Sequence, residues 1–139
     1  MINSIIKGIT NAIYKKFGDD YDIYTEKVEQ GLEEPCFFIY CINPNKDIFL
    51  GCRMKQNYQF VVQYIPKGPN KKMEINSVFE ELNDAVRFID VGNDKMMATS
   101  ISSNISDEVL TLSVTYTFFS YEKQEGDLMD EQVIKQEVR

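Results

Sequence analysis

Residues 109–121 read Val-Leu-Thr-Leu-Ser-Val-Thr-Tyr-Thr-Phe-Phe-Ser-Tyr. Leu110, Leu112, Val114, Tyr116 and Phe118 fall on one parity, and Thr111, Ser113, Thr115, Thr117 and Phe119 on the other. A β-strand sends successive side chains to opposite faces, so this period of two describes a long strand with one apolar face and one wet face. Such a strand needs neighbours in a sheet and a second layer over its apolar side. Residues 53–65 repeat the pattern, with Met54, Tyr58, Phe60, Val62 and Tyr64 on one parity and Arg53, Lys55, Asn57, Gln59 and Gln63 on the other. Pro66 and the Lys-Gly-Pro-Asn-Lys-Lys segment end that strand.

The covering layer is legible as two amphipathic stripes. Ile2, Ile5, Ile6, Ile9, Ile13 and Phe17 recur at three and four, which predicts a helix over residues 2–17 ending at Gly18. Ser77-Val78-Phe79-Glu80 has the form of a capping box, and Val78, Phe79, Leu82, Val86 and Ile89 form one stripe behind it. Tyr21–Thr25 reads as a short strand. Cys36–Ile42 is a continuous apolar run, expected to be a central strand covered on both faces, and Asn43-Pro44-Asn45 is a turn signal before a short strand at Ile48–Leu50. Residues 94–105 are expected to form a hairpin with 109–121. The order of elements predicts an α+β fold: a mostly antiparallel sheet with two helices on one face. One domain is expected over residues 1–121, followed by a half-charged tail, 122–139, too polar to order in the isolated chain.

Several function classes lose ground on composition. The chain of 139 residues is long enough to bury a core without staples. Its net charge of −7 argues against phosphate-backbone binding and against anionic membrane surfaces, and no apolar run is long enough to span a bilayer. There is no histidine, which removes the commonest general base and metal ligand, and no glycine-rich phosphate loop. We therefore expect neither cofactor nor metal, and no enzyme. Asp19, Asp20, Asp22, Glu26, Glu29, Glu33 and Glu34 are numerous, but their spacing matches no ligand loop and reads as a solvated acidic loop. Cys36 and Cys41 point to opposite sides of a strand. Cys36, with Pro35, Phe37 and Phe38 beside it, reads as a structural thiol, not a nucleophile. Three cysteines and no leader fit free thiols in a reducing compartment. Asn104-Ile105-Ser106 is a glycosylation pattern that reads as a turn. The wet parity led by Arg53 has two readings: an exposed sheet face, or a face that meets a partner subunit through bidentate arginine–carboxylate pairs.

Two motifs carry a family resemblance. Gln30, Gly31, Glu34, Pro35, Cys36, Phe37, Phe38 and Ile39 form one; Arg53, Phe60, Tyr64 and Pro66 form the other, with a departure at Met54, where relatives often carry an aromatic. Over residues 2–121 the chain resembles small tail terminator proteins of contractile-tailed phages, defective prophages and phage-tail-like particles of Firmicutes. The resemblance implies a virion or tail-like-particle protein without chemistry, assembled in the bacterial cytoplasm. It would form a ring, hexameric in such relatives, on the head-proximal end of the tail, ending growth of tube and sheath and presenting a collar to a head–neck protein. A closed ring is a heterologous assembly and needs two unlike patches per chain. The candidates are Gln30, Glu33 and Glu34 of the acidic loop, and Arg53, Lys55 and Gln59 of the polar face. The alternatives are a neck, connector or other minor tail protein, or a small-ligand or metal-dependent enzyme domain.

Overall fold

A computed structural model describes residues 1–25, 34–49, 51 and 53–121. Gln30 and Glu33, most of the acidic loop and the charged tail lie outside these. The chain runs α1 (Ile2–Phe17), β1 (Asp22–Tyr24), β2 (Cys36–Phe49), β3 (Arg53–Ile65), α2 (Lys71–Arg87), β4 (Phe88–Val91), β5 (Asp94–Ser106) and β6 (Val109–Tyr121). The strands form one sheet in the order β1-β2-β3-β6-β5-β4. Only the β1–β2 pair is parallel; every other pairing is antiparallel. This is the α+β arrangement expected from the sequence.

The two alternating strands occupy the centre and pair with each other, Phe60 opposite Val114 and Val62 opposite Leu112. Phe60, Val62, Tyr64, Leu110, Leu112, Val114 and Tyr116 are buried beneath the helices, together with Phe37 and Ile39 of β2. From above, α1 contributes Ile5, Ile9 and Ile13, and α2 contributes Ile75, Val78, Leu82 and Val86. Each such side chain removed from water contributes about 1.5–3 kcal/mol, so this one face supplies most of the drive to fold. Two hydrogen bonds tie α2 to the sheet. The Tyr116 hydroxyl donates to the Val86 carbonyl at 2.6 Å, and the Tyr64 hydroxyl donates to the Glu74 carboxylate.

Helix α1 has the predicted bounds. Its terminator Gly18 has φ 83 and ψ −163, a positive-φ conformation that side chains resist, and its N–H donates to the Tyr14 carbonyl at 2.8 Å. Gly8, in mid-helix, is set by packing: a Cβ there would lie 2.6 Å from the Asp90 carbonyl oxygen of β4. The helix axis can approach the strand that closely only without a side chain.

Several local expectations fail. Asn104-Ile105-Ser106 is the end of strand β5 and not a turn; the reversal follows at Asp107 and Glu108, both at positive φ. Asn43-Pro44-Asn45 is no turn: β2 continues to Phe49, and the chain reverses around Gly51, so Ile48 is the end of β2 and not a separate strand. Proline survives there because, among the described residues, β1 pairs only with Cys36–Phe38, which leaves Pro44 on an outer edge, next to a register shift between Cys41 and Asn43. The same geometry corrects the expectation that Cys36–Ile42 is covered on both faces. Phe37 and Ile39 are buried, but Phe38 and Tyr40 on the other side are half-buried, and Ile42 is exposed. Finally, α2 begins at Lys71, with Asn70 at its N-cap; Ser77 and Glu80 sit inside the helix as exposed residues. Glu74 anchors the true first turn by accepting from Tyr64 and from the Lys67 N–H at 3.3 Å, while its charge suits the helix N-terminus. The helix ends at Arg87, so Ile89 belongs to β4, a strand the helical stripe had masked. Phe79 is only half-buried.

Candidate functional site

The odd-numbered residues of β3 project from the sheet face opposite the helices. Lys55, Asn57, Gln59, Val61 and Gln63 therefore share this face with Phe119, Thr117, Thr115, Ser113 and Thr111 of β6, their register partners in that order, and Arg53 begins the strand opposite Tyr121. Ser100, Ser102 and Asn104 of β5 extend it on one side, and Asn43, Asn45 and Asp47 of β2 on the other. The result is a broad surface of hydroxyls and amides, with Phe38, Tyr40, Val61 and Phe119 set into the same face. Its side chains are cross-linked: the Thr117 hydroxyl donates to Asn57 Oδ1 at 2.6 Å and lies 3.1 Å from Thr99 Oγ1, and Gln63 Nε2 reaches Thr111 Oγ1 at 3.5 Å. Such a ladder holds polar groups in fixed positions and buries little apolar area, which suits an interface that forms from already folded partners.

Charge concentrates at one end of this face. Arg53 opens β3, opposite Phe49 of β2, and Lys55 stands opposite Asp47. Arg53 and Lys55 are exposed, and neither makes an ion pair among the described residues. Gln59 is half-buried in the middle of the face, between Asn43 and Thr115. Glu34 lies at the other end. It precedes Cys36, which pairs with Ile65, the last residue of β3. Twelve steps of extended chain separate Ile65 from Arg53, roughly 40 Å. The structure thus joins Arg53, Lys55 and Gln59 on one surface and sets Glu34 far from them. Gln30 and Glu33 lie outside the described residues.

Three buried groups titrate away from their ordinary ranges. Cys36 is buried, and burial, reinforced by the nearby carboxylates of Glu34 and Asp22, pushes its thiol up to about 11, so thiolate is scarce at neutral pH. Burial likewise pushes the Tyr64 and Tyr116 phenols far up; at Tyr64 the bond to Glu74 adds to the effect. Among the described residues no group of three or more Cys, Asp and Glu side chains converges as a metal site. Among the described residues no helix is long and apolar enough to cross a membrane. Two shallow depressions of about 270 and 360 Å³ lie on the outside of α1, one against Phe88, Asp90 and Lys95 and the other beside Thr25.

Sequence reasoning missed one polar group in this region. Gln56, on the helix-side parity of β3, is 6% exposed; its Oε1 accepts from the Tyr58 hydroxyl and its Nε2 donates to Ser120 Oγ, both at 2.6 Å. Gln56 sits where the central strands run on past the helices, and the only sequence sign was a glutamine in an otherwise apolar parity. No curated protein matches the chain. A family model described as phage tail terminator protein matches residues 4–127.

Proposed function

This chain belongs to the phage tail terminator family, and from that premise we propose that it caps the head-proximal end of a tail as a closed ring of copies. The family is structural, and it ties the chain to other components of the phage tail and to the virion. On our reading the ring, a hexamer, stops polymerisation of the tube, and of the sheath where there is one. Its upper surface then forms the collar or joins a head–neck protein. The joints use Arg53, Lys55 and Gln59 on one copy, and Gln30, Glu33 and Glu34 serve as the contrasting acidic patch. Residues 122–139 act as an arm that orders on a partner.

The observation that carries the reading is the wet sheet face, with Arg53 and Lys55 at one end and Glu34 beyond the other. Groups about 40 Å apart in one copy cannot form a site together, but unlike patches on separate copies are what a closed head-to-tail assembly needs. The test is tail length. In a host producing the particles, Arg53→Glu should leave the protein folded and give tails of uncontrolled length, because a reversed charge repels where a pair formed. Uniform tails from that variant would remove Arg53 from the joint. Uniform tails after complete deletion would end the terminator reading.

A further inference from the structure

The sheet has two long margins that are treated differently. On β5, β4 pairs with Asp94–Met97 alone. From Ala98 to Ser106 the outer edge of β5 has no strand beside it among the described residues. This stretch reads Ala-Thr-Ser-Ile-Ser-Ser-Asn-Ile-Ser, with no charge, proline or glycine, and Thr99, Ser100 and Ser102–Ser106 are exposed. Unpaired N–H and C=O groups on a long uncharged edge are a template for another strand, and proteins normally blunt them with lysine, proline or a bulge. On β5 the blunting is confined to a register shift between Ala98 and Ser100 at the start of the stretch, and the opposite margin is blunted more heavily. There the outer edge of β2, free beyond Phe38 among the described residues, carries a register shift after Cys41, then Pro44, Lys46 and Asp47.

Resting on the ring reading above, we infer that the joint between copies contains, in addition to the charged contacts of that reading, a β-ladder in which the bare edge of β5 on one copy receives the outer edge of β2 on the next. Polarity permits it. β2, β3, β6 and β5 are each antiparallel to their neighbour, so β5 runs opposite to β2. A copy placed beside another in the same sense therefore continues the antiparallel sheet. Charge permits it as well: the chain carries −7, yet Ala98–Ser106 carries no charge and Ile39–Phe49 one lysine and one aspartate, so these margins meet without repulsion. The two margins are unlike, as a closed ring requires, whereas β5 against β5 would close as a two-fold pair and stop. The blunted edge of β2 has a use in this scheme. With one donor missing at Pro44 and the register broken at the bulge, free copies gain only a short ladder, so joining waits for the tail end to hold copies side by side.

The test places a photo-crosslinking benzoylphenylalanine at exposed Ser102 in one particle preparation and at exposed Asn45 in another. Illumination of assembled particles should give covalent oligomers, with the probe at 102 mapped to residues 39–49 of a neighbouring copy and the probe at 45 mapped to residues 98–106. The reciprocal pair keeps the test decisive if one probe blocks assembly. Capture of β5 by the probe at 102 means a two-fold contact. Capture of the tube protein, or of residues 122–139, means another occupant; any of the three overturns the inference. Tail length after complete deletion is scored in parallel. Loss of length control with a wrong capture map rejects the ladder and leaves the terminator reading standing. Uniform length rejects the reading itself.

Discussion

The two faces of β3 belong to one backbone and meet opposite fates. Phe60, Val62 and Tyr64 are fully buried under α1 and α2, while Arg53, Lys55 and Gln59, on the other parity, meet water. On the covered face these side chains belong to one buried cluster that also draws on α1, α2, β2, β4 and β6, so identity and volume both matter. On the open face the contacts are mostly hydroxyl and amide bonds along the sheet, with Val61 and the Phe38–Tyr40 ring pair as apolar exceptions, and composition there is less constrained. Burial and exposure are thus divided between alternate residues of the same strand.

That division can be broken or sharpened by substitution. The largest effect should come from Leu82→Ala, which opens a cavity where α2 meets the sheet: about 2–5 kcal/mol by denaturant unfolding. A loss under about half a kilocalorie, typical of surface sites, would show that the covered face does not hold the fold. Gly8→Ala comes next. In an unconstrained helix this change gains about 1 kcal/mol. Here the new methyl meets the Asp90 carbonyl, and overpacking should cost about 1–3 kcal/mol instead. A stabilised variant would mean that α1 does not lie so close to β4. Tyr116→Phe should cost about 1–2 kcal/mol, because the Val86 carbonyl loses its buried donor; a thermal melt equal to wild type would place water or another donor there. Smallest of all, Lys55→Ala on the open face should change stability by less than about 0.5 kcal/mol. A loss above 1 kcal/mol would undo the division between the faces.

What could be read from sequence follows the same line. The bounds of α1 and the parity of β3 and β6 were legible because a one-sided element repeats its signal over many residues. The start of α2 was not. Lys71–Asn76 has little apolar content, and its first turn is fixed by Glu74 reaching back to Tyr64, a contact no local pattern encodes. Pro44 misled for a related reason: proline is tolerated once an edge is free, and freedom of an edge is a property of the whole sheet. Phe88 and Ile89 extend the helical stripe of α2, so β4 was invisible until the chain was seen to leave the helix directly into extended backbone at Phe88. As for the site, alternation put Arg53, Lys55 and Gln59 on one face. It could not give their distance from Glu34, nor show that β5 keeps a margin with no strand beside it among the described residues, because both depend on which strands become neighbours.

Helix α1 touches both sides of the sheet. Gly8 rests against the backbone of β4, and Phe17 packs on Phe37 of β2 and on Tyr21 at ring separations of 5.1 and 5.6 Å. In mechanical terms the helix is a tie-rod. A pull on one margin reaches the other through a rigid element, without passing strand by strand through the ladder. In a ring joined at its margins, every copy is loaded from both sides at once, and the stiffness of the whole circle is then set by how firmly one short helix grips its sheet.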